Sequence, residues 1–207
     1  MTIDDRGPVP AGGFSTWLRD MQAAIEGERD ADVACGSCTA CCTSSQFVHI
    51  APDEVDALAH IPKALRFPAP HLPRGHVVLG YDERGHCPML VDGACSIYDH
   101  RPRTCRTYDC RVFPAADVTP DDDKPLIVQR AARWVFDHAT ERDEREHLAV
   151  RRAATAISRG RDELPPGSVP HVSTQIAVVA VQVHDLFLDG DEPEVGTLLD
   201  RLAALRR

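Results

Sequence analysis

The stretch CGSCTACC, residues 35–42, holds four of the eight cysteines of this 207-residue chain. Two Cys-x₂-Cys steps run from Cys35 through Cys38 to Cys41, and Cys42 follows directly. A tetrahedral zinc ion with bonds of about 2.3 Å needs its sulfur ligands about 3.7 Å apart, and a tight Cys-x₂-Cys turn brings them that close. The small residues Gly36 and Ser37 let the backbone fold around an ion. This cysteine knuckle (residues 35–42) therefore predicts a metal site.

The remaining cysteines follow within the same part of the chain, and none occurs after residue 110. The full set of predicted metal ligands is Cys35, Cys38, Cys41, Cys42, Cys87, Cys95, Cys105 and Cys110. Structural disulfides are the alternative, but the N-terminal stretch MTIDDRGPVPAGG has no apolar run typical of a secretory signal. A bridge between adjacent Cys41 and Cys42 would also strain the peptide between them. Redox-active thiols remain a second alternative. We expect Cys42 to point away from Cys41.

The composition limits the classes of partner. The net charge of −9 argues against a general nucleic-acid or anionic-membrane role. The longest apolar stretch, residues 176–188, is shorter than the roughly 18 residues that a membrane span needs. The sequence therefore predicts a cytoplasmic protein that binds no nucleic acid and no membrane, with an unknown protein partner possible. Motifs of phosphate-binding loops, dinucleotide-binding folds and serine hydrolases are missing from the sequence.

The predicted fold class is α-rich with a small β-hairpin, in which an irregular, metal-stapled cysteine lobe packs against helices. We divide the chain into a loose arm (1–12), a cysteine-cluster metal-binding region (13–111) and a helical region that packs on it (112–207), together forming one domain. The Asp92-Gly93 pair between two short apolar runs predicts the hairpin turn.

Hydrophobic spacing and capping residues predict the other elements. Thr140 and Asp143 form a capping-box pattern that opens one helix. The predicted elements are helices at 14–26, 52–61, 125–137, 141–159, 173–189 and 195–205, and a short strand within 46–52.

Cationic and aromatic residues surround the downstream cysteines. Thiolate-bound metal centres are anionic, and nearby cations offset that charge and lower thiol pKa values. We therefore assign supporting roles around the metal to Arg101 and Arg106. His86, Tyr98 and Tyr108 are further candidates, because each lies beside a predicted ligand in the sequence.

Three segments, CGSCTACC, CPML and GACSIYDHRPRTCRTYDC, resemble the bacterial CxxCxxCC family of YkgJ-type cysteine-cluster proteins, which is described as zinc- or iron-chelating. The resemblance covers about residues 35–111 and implies that all eight cysteines bind metal. A flagellin lysine methylase is similar to this family through its cysteine pattern and is associated with an iron–sulfur cluster. Its methyl-donor site does not map onto this chain, so the resemblance carries over metal ligands only.

Three functions fit these observations. The first is an enzyme built on an iron–sulfur cluster, with redox or methylase-like group-transfer chemistry, and it accounts best for the excess of cysteines over the four that one zinc ion uses. The second is a structural zinc module that holds an adaptor together. The third is a metal carrier or redox sensor, in which one thiol of the Cys41-Cys42 pair stays free to exchange or oxidise. The catalytic residues, if the protein is an enzyme, are unknown.

Overall fold

A computed structural model describes residues 7–31, 33, 35–121, 123–164 and 167–205, with the side chains of 162 and 163 excepted. The fold is helix-rich, 47% helical and 11% strand, which confirms the α-rich part of the predicted class. Across the residues described, no helix is both long and apolar enough to span a membrane.

The helices and strands are mostly short. The α-helices are α1 (Phe14–Ile25), α2 (Val55–His60), α3 (Arg103–Thr107), α4 (Val112–Ala116), α5 (Pro125–Ala131), α6 (Glu141–Glu163), α7 (Ser173–Val183) and α8 (Val195–Ala204). The strands are β1 (Val9–Gly13), β2 (Val48–Ile50), β3 (Arg66–Pro68), β4 (Val77–Leu79), β5 (Leu90–Val91), β6 (Ala94–Cys95) and β7 (Trp134–Asp137). Single turns of 3₁₀ helix occupy Ala40–Thr43, Lys63–Leu65, Tyr98–His100 and His184–Phe187.

The strands form small separate sheets. β1 and β7 pair in parallel, β2, β4 and β3 form an antiparallel sheet in that order, and β5 and β6 form a hairpin. Asp92 and Gly93 both have positive φ, 51° and 77°, as a two-residue hairpin turn requires. The hairpin predicted from this pair is therefore confirmed.

The chain divides into two compact units. The helical unit comprises residues 1–23, 110–123 and 128–207, and the cysteine unit comprises residues 24–109 and 124–127. Cys110 belongs to the helical unit, and the other seven cysteines belong to the cysteine unit.

The helical unit has a conventional core. Fully buried side chains of α4, α6 and α7, among them Phe113, Ile157 and Val181, pack together with Phe187. The capping box predicted at the start of α6 is present, because Thr140 and Asp143 exchange hydrogen bonds between side chain and backbone. Asp143 also accepts a bond from the amide of Ser15 at 2.8 Å. These hydrogen bonds hold the pKa of Asp143 well below its usual range, and the bond from the Thr140 hydroxyl has the largest effect.

The cysteine unit has a much smaller core. Its buried cluster consists of Ile50, Ala57, Ile61, Leu79 and Ile97. The partly buried Cys87 and Cys95 pack against this cluster. Because so few apolar side chains are buried, a bound metal would add substantially to the stability of this unit.

Several predicted elements need correction. The helix predicted over 125–137 ends at Ala131, and residues 134–137 form strand β7. Residues 9–12 of the predicted loose arm belong to strand β1, and residues 1–6 of that arm lie outside the described part of the chain. The pairing of β1 with β7 explains both errors, since partners more than 120 residues apart leave no local signal. The helices expected near residues 14, 55, 141, 173 and 195 are confirmed.

Candidate metal centre

The cysteine knuckle is a succession of tight turns. The amide of Cys38 donates to the carbonyl of Cys35 at 3.0 Å, and Gly36 within this turn has a φ of 57°, which favours glycine. The amide of Cys42 then donates to the carbonyl of Thr39 at 2.9 Å and opens the 3₁₀ turn at Ala40–Thr43. The cysteines are thus held on consecutive turns, as ion binding by Cys-x₂-Cys steps requires.

Cys41 and Cys42 do not point apart. Their Sγ atoms lie 3.9 Å from each other, so the expectation that Cys42 faces away from Cys41 is wrong. The 3₁₀ turn explains the difference, since tightly wound neighbouring residues lie on the same side of a turn more readily than neighbours in extended backbone. A separation of 3.9 Å is close to the sulfur–sulfur distance of about 3.7 Å expected around one tetrahedral ion.

Backbone hydrogen bonds attach the knuckle to the segment that carries Cys87. The amide of Cys87 donates to the carbonyl of Cys42 at 2.7 Å, and the amide of Ser45 donates to the carbonyl of Gly85 at 2.9 Å. Gly85 has a φ of 79°, and a Cβ atom there would lie 2.4 Å from the hydroxyl oxygen of Ser45. Glycine suits this position because it has no Cβ and tolerates positive φ. Gly85 therefore allows the two segments to approach each other closely.

The hairpin and α3 position the next two cysteines. Cys95 lies on β6 opposite Leu90, whose amide donates to the carbonyl of Cys87 at 2.9 Å. The hairpin therefore returns Cys95 toward Cys87.

Cys105 lies in α3, and two contacts anchor the start of this helix. The amide of Arg103 donates to the carboxylate of Glu54, and the hydroxyl of Thr104 donates to the carbonyl of His49 at 2.8 Å. The helix is thereby attached to the β2–α2 segment of the same unit.

The electrostatics of the thiols show that the segments converge. Burial, followed by negative charge on Cys41, Cys87 and Cys95, raises the pKa of Cys105 to about 12. The hydrogen bond to Cys42, followed by burial, raises the pKa of Cys41, and burial raises that of Cys87. These thiols influence one another electrostatically, and a bound cation would favour their thiolate forms.

Five of the predicted ligands thus lie on connected segments of the cysteine unit: Cys41, Cys42, Cys87, Cys95 and Cys105. Of these, only the Sγ atoms of Cys41 and Cys42 are in contact, and within the described residues no three cysteine sulfurs lie within 4.8 Å of one another. Cys35 is exposed and Cys38 is half-buried on the preceding turn of the knuckle. Cys110, in the helical unit, is buried, and its Sγ accepts a hydrogen bond from the indole N–H of Trp134 at 3.1 Å.

The two predicted arginines have different surroundings. The guanidinium of Arg101 stacks over the ring of Tyr98 at 3.7 Å, and its positive charge lowers the pKa of Cys105. Arg106 forms an ion pair with Asp30 at 2.8 Å and donates to the carbonyl of Arg101 at 3.0 Å. The charge of Arg101 therefore affects the pKa of a cysteine. Arg106 instead binds the Asp30 carboxylate and the Arg101 carbonyl.

The other predicted supporting residues lie beside the cysteine-bearing segments. The backbone amide of His86 donates to Asp82 at 2.9 Å in the loop that leads to Cys87. Tyr98 is exposed beneath Arg101. Tyr108 is half-buried where α3 ends.

The cysteine knuckle, the β5–β6 hairpin and helix α3 carry the predicted ligands of the cysteine unit. This arrangement is typical of a cysteine-cluster metal-binding domain. Residues 34–131 match the model of the CxxCxxCC family, described as a "putative zinc- or iron-chelating domain". Neither the curated proteins nor the solved structures contain a match to the chain.

One group of potential ligands was missed by the sequence reasoning. Ligand atoms of Asp56, His60 and His100 all lie within 4.8 Å of one another. Asp56 and His60 are four residues apart in a predicted helix, so their common face was readable from the sequence. His100 is 40 positions further on, and only the fold brings it to them.

Proposed function

We propose that this chain is a metal-binding protein whose cysteine unit holds an iron–sulfur centre in which each iron takes two cysteine thiolates. We draw its four ligands from Cys41, Cys42, Cys87, Cys95 and Cys105. The observation that supports the proposal is geometric: the Sγ atoms of Cys41 and Cys42 lie 3.9 Å apart, and the amide of Cys87 donates to the carbonyl of Cys42 at 2.7 Å. Thiolate donors suit zinc and iron–sulfur centres and not magnesium or calcium.

The separation of Cys41 and Cys42 favours particular kinds of centre. In a [2Fe–2S] centre four cysteines serve two irons, whereas in a [4Fe–4S] centre four cysteines serve four irons. Two sulfurs 3.9 Å apart fit two ligands of one metal ion, so the pair supports the first arrangement. The same distance fits a zinc ion, which is the second candidate. Either centre uses four of the seven cysteines in the cysteine unit, so the presence or absence of acid-labile sulfide separates the two candidates.

An iron–sulfur centre would supply one-electron redox chemistry when bound. The chain's own residues would set its environment. Arg101 offsets the negative charge of the thiolates, and the packing of Cys87 and Cys95 on the apolar cluster excludes water from one side. Cys35 and Cys41 are exposed, so the centre would lie near the surface, where a protein partner can exchange electrons with it. Free thiols in this number are typical of a reducing compartment, consistent with a cytoplasmic protein.

Anaerobic purification followed by counts of metal and acid-labile sulfide tests the proposal. We expect a coloured protein with equal amounts of iron and sulfide. Replacing Cys42 by serine should remove most of both, and replacing the nearby Ser44 by alanine should remove neither. A colourless protein with one zinc and no sulfide would instead support the zinc candidate. A protein that binds neither metal would refute the proposed function.

A further inference from the structure

The cysteine unit carries a second group of ligand atoms that contains no sulfur. Asp56 and His60 lie on α2, and His100 lies on the 3₁₀ turn Tyr98–His100. The Nδ1 atom of His100 is 2.9 Å from Oδ2 of Asp56, and the Nδ1 atom of His60 is 3.6 Å from Oδ1 of the same carboxylate. All three residues are at or near the surface.

The two imidazole rings are stacked. Their centroids are 3.5 Å apart with an angle of 6° between the planes. Two parallel rings therefore present nitrogen atoms to the two oxygens of one carboxylate. In this arrangement Nδ1 of His100 donates to Asp56, and Nδ1 of His60 donates to the backbone carbonyl of Asp56 at 2.9 Å.

We propose that Asp56, His60 and His100 form a binding site for a borderline divalent transition-metal cation, of the class of Zn²⁺, Co²⁺, Ni²⁺ and Cu²⁺. Imidazole nitrogen with one carboxylate oxygen is a donor set that these ions accept. With bonds of about 2.0–2.1 Å, the donor atoms of a tetrahedral ion lie about 3.3 Å apart. The two observed separations, 2.9 Å and 3.6 Å, lie on either side of that value.

Binding requires a small local change. The cation takes the place of the imidazole protons that now point at Asp56, so metal uptake competes with protonation. A cation in the plane of one ring lies outside the plane of a parallel ring, and one imidazole must therefore rotate. Both histidines have solvent on one side, which leaves room for that rotation. Water would complete the coordination, so the ion is exchangeable.

This site is chemically distinct from the cysteine centre and does not depend on the proposed function. It would link α2 to the turn Tyr98–His100, which leads into the segment that carries Arg101 and Cys105. A cation held here would therefore stiffen the approach to the cysteine centre.

Titration of the anaerobically purified, metal-loaded protein with Co²⁺ tests the proposal. Cobalt bound by nitrogen and oxygen gives weak visible absorption without the intense near-ultraviolet charge-transfer band of cobalt thiolates. We expect one equivalent of such cobalt in the wild type. His60→Asn or His100→Asn should lower the affinity at least ten-fold and leave the iron or zinc content unchanged. The matched control is His71→Asn, because His71 is exposed in the same unit and its φ of 61° suits asparagine.

A second measurement needs no variant. In the wild type, one equivalent of Zn²⁺ should shift the ring resonances of two histidines and abolish the upfield effect of their stacking. Absence of thiolate-free cobalt in the wild type would overturn the proposal. Equal cobalt affinity in His60→Asn, His100→Asn and the control would overturn it as well.

Discussion

The amide of Cys87 donates a hydrogen bond to the carbonyl oxygen of Cys42 over 2.7 Å. This bond and the parallel one from Ser45 to Gly85 join the cysteine knuckle to the segment that leads into the hairpin. The backbone itself thus fixes the relative position of two cysteine-bearing segments that are more than 40 residues apart. Metal binding then has less conformational entropy to overcome, since part of the site is already ordered.

Gly85→Ala should weaken metal binding. The added Cβ would lie 2.4 Å from the Ser45 hydroxyl oxygen at a backbone φ of 79° that is strained for alanine. Relief of this contact needs rotation of the Ser45 side chain or a shift of the loop that leads to Cys87, and we expect the shift. We expect metal content per chain to fall by at least half after anaerobic purification, with a lower melting temperature.

Gly93→Ala is the matched control for this variant. Gly93 has nearly the same φ, 77°, but a Cβ there meets no atom within 4 Å. It should cost about 1 kcal/mol of stability through backbone strain and leave the metal content near that of the wild type. Equal metal loss in both variants would show that the contact between Ser45 and Gly85 does not position the site.

Cys105→Ser and Cys110→Ser should behave differently. Loss of Cys105 removes a proposed ligand, so bound metal and the stability of the cysteine unit should fall together. Loss of Cys110 removes a buried sulfur that accepts a bond from Trp134, so it should destabilise the helical unit by about 1–2 kcal/mol and retain the metal. Metal analysis and tryptophan fluorescence separate the two effects, because Trp17 and Trp134 both belong to the helical unit. Loss of metal in Cys110→Ser would show that Cys110 is also a ligand.

Arg101→Gln should lower metal affinity by about ten-fold. Losses of this size are usual when a group that orients the ligands or offsets their negative charge is removed. The physical reason is the loss of the positive charge that lowers the pKa of Cys105. Arg106→Gln is the comparison, because Arg106 pairs with Asp30 and should affect stability more than affinity. Competition with a chromophoric chelator measures both affinities. Equal affinity losses would show that Arg101 has no special role.

The sequence was most informative where structure is local. The Asp92-Gly93 turn, the capping box of Thr140 and Asp143, and the periodic helices all depend on residues within a few positions of one another, so their signals are visible in the sequence. The parallel pairing of β1 with β7 depends on residues far apart, and strand β7 was therefore misread as the end of a helix.

The candidate sites show the same division. Clustering of the cysteines in the sequence indicated a metal centre. The orientation of Cys41 relative to Cys42 was predicted wrongly, because it depends on a 3₁₀ turn that spacing alone does not specify. The ligand group of Asp56, His60 and His100 was not seen at all, because its third member reaches the others only through the fold of the cysteine unit.

The helical unit should lose stability on acidification because of His147. Burial, then the charge of His138, lowers the pKa of His147 to about 4, and Arg151 also lowers it, whereas Asp117 raises it. The unfolded state has a histidine pKa of about 6.5, so it binds a proton that the folded state does not bind between pH 6.5 and 4. The contribution of His147 to the free energy of unfolding should therefore fall through this window, by at most about 1.4 kcal/mol per pH unit, and level off below pH 4, where protonation of Asp143 lowers the stability further.

Denaturation followed by tryptophan fluorescence from pH 7.5 to 3.5 measures this dependence. His147→Gln should flatten the curve between pH 6.5 and 4, and His171→Gln, at an exposed position of the same unit, should leave it unchanged. An unaltered slope in His147→Gln would assign the acid sensitivity to other groups.

X-ray absorption at the edge of the bound metal tests the central claim most directly, because it counts the sulfur atoms around the metal. We predict a shell of about four sulfurs at about 2.3 Å. An iron–iron distance should accompany it, since a [2Fe–2S] centre holds two irons. A first shell made of nitrogen and oxygen at about 2.0–2.1 Å, with no sulfur, would contradict the assignment of the cysteines as the metal ligands.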